Sequence, residues 1–209
     1  MKGVAKGPAY RIKTRRLVLR CWNPEDAPLL LAAIQASLDH LLPWMDWAKQ
    51  EPESLEAKTE RLRRFRGAFD LGQDFVYGIL SRDEKDVYGG TGLHTRAGER
   101  AREIGYWIHK EQIRQGLATE AVAALTRVAF EIDKVERVEI HCDPNNAPSL
   151  AVPRKLGYVH EATLRKLLRT PQGNPRDTIV WTLLAEEYPG SPSSAAEIKA
   201  YDAMGGRIL

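Results

Sequence analysis

The chain has 209 residues, 43% of them hydrophobic and 28% charged, with a formal net charge of +3. That length is enough to bury a substantial core in one α/β domain with an appendage, and it is short for two full domains. Met1–Arg20 carries seven Lys or Arg and no acid. It lacks the continuous apolar stretch of a leader peptide and runs into the strand-like "RRLVLRCW", so it reads as a basic first strand. No apolar run approaches the roughly eighteen residues that a membrane span needs. Cys21 and Cys142 lie far apart, without CxxC or Cys/His spacing. That pattern fits a reducing, cytoplasmic setting, and no metal site is expected.

In chain order, Leu17, Val18 and Leu19 predict a first strand. Asn23-Pro24 punctuates the start of a helix over Pro24–Ser37, and "LLPWMDW", Leu41–Trp47, reads as a tryptophan-rich loop or short helix. A charged helix follows over Ser54–Leu71. "FVYGIL" and "VYGGTGLHT" predict two antiparallel strands around the polar turn Ser81–Asp86, and "REIGYWIH" a third. From Thr119 the apolar residues Val122, Leu125, Ala129 and Ile132 recur at steps of three and four, the pattern of an amphipathic helix. "VERVEIHC" alternates with period two, so Val138, Ile140 and Cys142 share one strand face.

Asn145–Leu156 predicts a short helix. Gly157-Tyr158 then turns the chain into a strand pair, "YVHEATLRK" and "RDTIVWTLL", closed by a hairpin loop over 171–175. Pro153 cannot donate an amide to the carbonyl of Ser149, so that helix should be short or bent. After Tyr188 "PGSPSS" is a linker signal, and "SAAEIKAYDAMGG" predicts a helical tail, with Ser194 and Glu197 at capping-box spacing and Gly205 as its stop. The organisation is an α+β domain over residues 1–188 and a linker with a docked helical tail over 189–209.

Between "EIGYWI" and the amphipathic helix lies "IRQGLATEA", Ile113–Ala121. A strand, a glycine step and a helix together present unpaired backbone N–H groups at the positive end of the helix, an anion site. Gly116 lets an anion approach the main chain, and Ala118 keeps the next position small. A tight turn before a helix would use the same residues.

The order "EIGYWIHKEQIRQGLATEA", "VERVEIHCDPNNAPSLAVPRKLGYVHEATLR" and "GNPRDTIVW", preceded by "TRRLVLRCW" and "LPWMDWA", resembles the GNAT N-acetyltransferase superfamily. Within it the chain is similar to the RimJ/RimL-like branch, which acetylates protein N-terminal amines. The resemblance spans roughly residues 11–188. It implies a mixed central sheet, splayed at the cofactor site and flanked by helices, with acetyl-CoA as cosubstrate. It also implies that the main-chain amides of Arg114, Gln115, Gly116, Leu117, Ala118 and Thr119 cradle the pyrophosphate of coenzyme A. Main-chain groups of Trp107, Ile108 and His109 would meet the peptide-like pantetheine arm. Asn146 would contact that arm and Ser149 the departing sulfur; as plain helix caps, both residues would be at home in a first turn too. Two positions depart from the superfamily pattern. Ile113 stands where a Gln or Arg is usual, and Pro153 replaces a tyrosine acid, so that if any side chain protonates the thiolate, Ser149 is the surviving candidate.

Acetyl transfer requires an alkylammonium to lose a proton before it attacks, whereas the thiol that leaves has a pKa of about 8.5 by analogy with cysteine. A base is therefore the greater need. The resemblance points to Glu103, on the strand entering the glycine loop; as a solvated carboxylate it would pair with Arg100 or Arg102 instead. Glu161 and Asp177 are further carboxylates, with Asp177 a candidate for the acceptor wall, while Leu168 occupies the position of the RimL-type base. His141 should face away from Val138 and Ile140 as a sheet-face histidine. Trp44 and Trp47 are core or lid material that would also border the acceptor pocket. "ERLRRFR", at residues 60–66, reads as a solvated helix face, with binding of ribosomal RNA as the runner-up.

The expected activity is acetyl-CoA-dependent N-acetylation by direct attack in a ternary complex, on a protein or peptide N-terminus and with a ribosomal protein among the candidate acceptors. The rivals are a small-molecule amine acetylase and a non-catalytic acyl-CoA-binding module.

Overall fold

The computed structural model describes residues 7–170 and 172–209. Lys2 and Lys6 of the basic first segment, and Pro171 of the predicted hairpin loop, lie outside the described residues. The elements in chain order are β1 (Arg11–Lys13), β2 (Val18–Cys21), α1 (Ala27–Leu41), α2 (Leu55–Asp70), β3 (Phe75–Leu80), β4 (Val87–His94) and β5 (Ala101–Ile108). Then follow α3 (Leu117–Glu131), β6 (Arg137–Cys142), α4 (Ala147–Lys155), β7 (Val159–Arg169), β8 (Pro175–Leu184) and β9 (Lys199–Tyr201). The strands form one mixed sheet in the order β7-β8-β6-β5-β4-β3-β2-β1-β9. Helices cover both faces, as expected for an α+β fold of this kind.

Local chemistry accounts for the helix starts. Asn23 and Asp26 form a capping box around a single 3-10 turn, and Arg20 grips both Asp26 oxygens at 2.7 and 2.8 Å, so α1 begins at Ala27 rather than at Pro24. Ser54 caps α2 by accepting the Ala57 amide at 3.2 Å. α3 lays Leu117, Ala121, Ala124, Leu125 and Val128 against the sheet, all of them buried; its alanines let the helix axis come close. The charges of "ERLRRFR" are largely paired along or beside α2: Arg61 with Glu53, Arg63 and Arg64 with Glu60, Arg66 with Asp70.

The feature that positions the site is a fork in the sheet. β5 and β6 run parallel and pair over only three steps, Ala101↔Arg137, Arg102↔Val138 and Glu103↔Glu139. Beyond Glu103, β5 continues to Ile108 bonded only to β4, while β6 continues to Cys142 bonded only to β8. Two half-sheets therefore diverge from Glu103 and Glu139, leaving main-chain groups along the inner edges free for another peptide-like chain.

The tail departs from expectation. Pro192–Ala195 forms one 3-10 turn and Lys199–Tyr201 is a strand, β9, which pairs antiparallel with β1 at Arg11↔Tyr201, Ile12↔Ala200 and Lys13↔Lys199. The capping-box spacing of Ser194 and Glu197 starts no α-helix, because the open edge of β1 offers this segment a hydrogen-bonding partner and a buried place for Ala200. The tail is docked, as a strand. Arg127 on α3 further holds it, donating to the Ala196 carbonyl at 2.7 Å. No helix among the described residues is long and apolar enough to cross a membrane.

Candidate active site

Gly116 is the N-cap of α3 and sits at φ +77°, in the left-handed region that glycine adopts without strain. Arg114 is also left-handed, at φ +60°. This pair of turns rolls the loop so that the first amides of α3 have no side-chain cap and no preceding helical carbonyl to meet. Arg16 braces the loop from behind, donating to the Gln115 carbonyl at 2.8 Å and pairing with Glu120 at 2.6 Å. An alanine-sized side chain at Gly116 would touch nothing nearer than the Arg16 guanidinium at 3.7 Å, so the surface in front of these amides is clear. Beside it opens a groove of about 480 Å³, lined in part by Arg15, Gly116, Thr119, Lys155 and Ile198. Bare amides, a helix N-terminus and two neighbouring cations suit a pyrophosphate and its nucleotide.

The strand leading to this loop carries Trp107, Ile108 and His109 past the fork. Trp107 lies over Gly90 of β4, where a Cβ would come within 2.5 Å of its indole nitrogen; the glycine makes room for the ring. His109 Nδ1 accepts the Glu111 amide at 3.2 Å and shapes the turn into the loop.

Across the fork stands α4. Asn146 is its N-cap, with Oδ1 accepting the Ser149 amide at 3.2 Å. The helix is only nine residues long and contains Pro153, so the expectation of a short helix holds. Ser149 does not cap. Its Oγ lies 3.1 Å from the hydroxyl of Tyr106 and 3.3 Å from Sγ of Cys142. Tyr106 was not among the candidates read from the sequence, although period two in "EIGYWI" places it with Ile104 and Ile108, on the face opposite Glu103.

Glu103 sits where the half-sheets part, buried, and paired neither with Arg100 nor with Arg102. Those arginines bond Glu136 and Asp133. Arg96, from the β4–β5 turn, instead grips both Glu103 oxygens, with Nε 2.7 Å from Oε2. Burial pushes the Glu103 carboxyl up, but the hydrogen bonds and charge of Arg96, with His141 and His94 adding to them, hold it below the usual glutamate value. His141 lies 3.9 Å from Glu103 and 2.8 Å from Glu139, on the sheet face predicted for it.

The Trp44–Trp47 loop is held in place by side-chain contacts. Trp47 meets Trp107 edge-on at 6.1 Å. Its loop is anchored by Lys58, which is 1% exposed and reaches Glu51 and Glu53, the latter at 2.7 Å. Trp44 offers its carbonyl to Arg176 of β8 at 3.5 Å, and Arg176 lies equally far from Asp143. Asp177, one residue on, accepts the Lys166 amide at 2.8 Å within the β7–β8 hairpin, so Arg176 and not Asp177 reaches the tryptophan loop. Glu161 is exposed and takes a hydrogen bond from Thr182 at 2.7 Å.

Residues 16–159, well over half the chain, match the model of the acetyltransferase (GNAT) domain. The chain belongs to the GNAT acetyltransferase family. "Uncharacterized N-acetyltransferase YoaA" of Bacillus subtilis (strain 168) is 28% identical over 174 residues, covering 83% of this chain and 96% of that protein. "Putative ribosomal N-acetyltransferase YdaF" from the same organism is 28% identical, covering 83% and 94%. Among solved structures, Mycobacterium smegmatis RimJ in complex with CoA-disulfide superposes with a TM-score of 0.77 at 25% identity, over 91% of this chain and 94% of that one. This GNAT protein is thus an N-acetyltransferase with acetyl-CoA as its cosubstrate, and its relatives include RimJ/RimL-like enzymes.

Proposed function

We propose that the acceptor is the α-amine of a protein or peptide N-terminus, acetylated by direct attack in a ternary complex. The supporting observation is the open acceptor face. The anchored Trp44–Trp47 loop, Trp107 and Glu103 border one end of it. Beside them β7 forms an edge of the sheet with Val159, Leu164, Leu167 and Leu168 exposed. An extended chain can lie along such an edge, with main-chain hydrogen bonds holding it and its terminal amine reaching the fork. The name of YdaF carries a ribosomal acceptor for that relative, and a ribosomal protein is accordingly the first acceptor class to try here.

In this reading the amides of Arg114–Thr119 hold the pyrophosphate, the inner edge at Trp107–His109 and the Asn146 side chain hold the pantetheine arm, and Ser149 faces the sulfur. Glu103 draws the acceptor ammonium to the fork and takes its proton through water. Because Arg96 holds the carboxyl ionised, Glu103 is a weak base that works by position and charge. Trp44 and Trp47 wall the acceptor, Arg176 ties that wall to β8, and Asp177 orders the hairpin beside it.

The test is thiol release from acetyl-CoA against a panel of N-terminal peptides and small amines. Turnover on peptides above small amines is the expected result; turnover confined to small amines contradicts the peptide reading.

A further inference from the structure

Pro153 has no amide hydrogen, so the carbonyl of Ser149, four residues earlier, loses its helical donor. The hydroxyl of Tyr106 reaches that carbonyl at 3.1 Å, and it is equally close to Ser149 Oγ. Cys142 Sγ touches the same Oγ at 3.3 Å. Tyr106 comes from β5, Cys142 ends β6 and Ser149 lies in the first turn of α4, so this cluster spans the two arms of the fork where the cosubstrate must thread.

A serine hydroxyl holds one hydrogen and can accept two. Burial pushes the Tyr106 hydroxyl well above the usual tyrosine value, and burial likewise raises the Cys142 thiol, so both stay protonated as donors. The single hydrogen of Tyr106 goes either to the Ser149 carbonyl or to Oγ; in the second arrangement, with Cys142 also donating to Oγ, the hydrogen of Ser149 is left to point out of the cluster. We propose that Tyr106 is a positioning residue that, with Cys142, turns the Ser149 hydroxyl hydrogen toward the coenzyme A sulfur as the thioester breaks. This rests on the acetyltransferase reading above and adds to it the group that does for Ser149 what the missing helix tyrosine would do directly. The balance is simple: the acceptor nitrogen bonds the acetyl carbon, and the carbon–sulfur bond breaks with its electron pair on sulfur. Ser149 donates a hydrogen bond to that sulfur, and the proton that finally rests there comes from the acceptor nitrogen by way of solvent. Tyr106 and Ser149 end as they began.

The experiment compares wild type, Tyr106→Phe, Ser149→Ala and the double variant, with melting temperatures and acetyl-CoA affinity as controls. Tyr106→Phe should lower kcat about fivefold to tenfold with KM for acetyl-CoA within about twofold, the scale of one lost neutral hydrogen bond. The double variant should be no slower than Ser149→Ala, because one acts through the other. A readout independent of turnover is the pH dependence of coenzyme A binding by calorimetry. A donor to the thiolate makes affinity rise with pH, by about threefold more in wild type than in Tyr106→Phe between about pH 7 and 9.5, while acetyl-CoA, which has no thiol, shows no such difference. Pro153→Ala restores an amide to the Ser149 carbonyl, and the kcat loss of Tyr106→Phe should persist in that background. If it vanishes there, Tyr106 is only a substitute helix donor and the proposal falls; multiplicative losses in the double variant also overturn it. A wild type that binds no acetyl-CoA removes the acetyltransferase reading itself, whereas an active wild type matched by Tyr106→Phe removes this inference alone.

Discussion

Two helix starts flank the fork, and they are built in opposite ways. α3 opens on a left-handed glycine with its first amides uncapped, so it presents bare main chain. α4 opens on Asn146, which takes the Ser149 amide for itself, and it carries prolines at 148 and 153, so its spare main-chain donors are few and it presents side chains. A phosphate needs several donors and little discrimination, which main chain supplies whatever the side chains are. A sulfur that gains charge needs one well-aimed hydrogen, which only a particular side chain supplies. Substitution should therefore be tolerated around the first start and be costly at the second.

The largest expected effect lies between the two starts. Glu103→Gln keeps shape and hydrogen-bonding reach while removing charge and basicity, so kcat/KM near neutral pH should fall by about 10² or more, with part of the rate returning as pH rises and acetyl-CoA affinity unchanged. Superimposable pH profiles for the two proteins would reduce Glu103 to a structural partner of Arg96.

At the main-chain start, Gly116→Val forces a branched residue into a left-handed conformation and crowds the amides, so acetyl-CoA affinity should drop at least about tenfold, roughly 1.4 kcal/mol, with kcat at saturation much less affected. At the side-chain start the pattern should invert. Ser149→Ala should slow turnover about tenfold with acetyl-CoA affinity within severalfold, and the loss should shrink for a thioester whose thiol is more acidic, since that leaving group needs less help. Equal losses with both thioesters would make Ser149 a positioning residue only.

The smallest effect is a displacement along the pH axis. Arg96 holds the Glu103 carboxyl low, so Arg96→Ala removes a stabilising cation and raises the carboxyl pKa. The acidic limb of the kcat/KM profile should then move to higher pH. A limb that stays put would separate that ionisation from Glu103.

The strands and the starts of α3 and α4 were legible because their signals are local. Period-two strands, the Gly116 step and the Asn146/Ser149 spacing each lie within a dozen residues, and each stands where the pattern put it. What escaped depends on segments far apart in sequence. Arg96 meets Glu103 only because the β4–β5 turn folds back, while the nearer Arg102 points to the other face and Asp133. Tyr106, Cys142 and Ser149 converge from three elements, so no spacing announces them. The tail has helix-like capping residues, yet it pairs as a strand because β1, nearly two hundred residues earlier in the chain, has an edge to fill. Pro153 lies between these cases: it announced a short helix, but not that a tyrosine from β5 would lie within hydrogen-bond reach of the carbonyl it leaves.

The bare amides at the start of α3 are tested most directly by calorimetric titration of wild type and Gly116→Val with two ligands, acetyl-CoA and acetyl-pantetheine, the second of which lacks the pyrophosphate and nucleotide. The predicted result is a loss of at least about tenfold in acetyl-CoA affinity on substitution, with acetyl-pantetheine affinity the same in both folded proteins. Acetyl-CoA binding equally tightly to wild type and to a folded Gly116→Val protein would contradict the assignment of this loop as the pyrophosphate site.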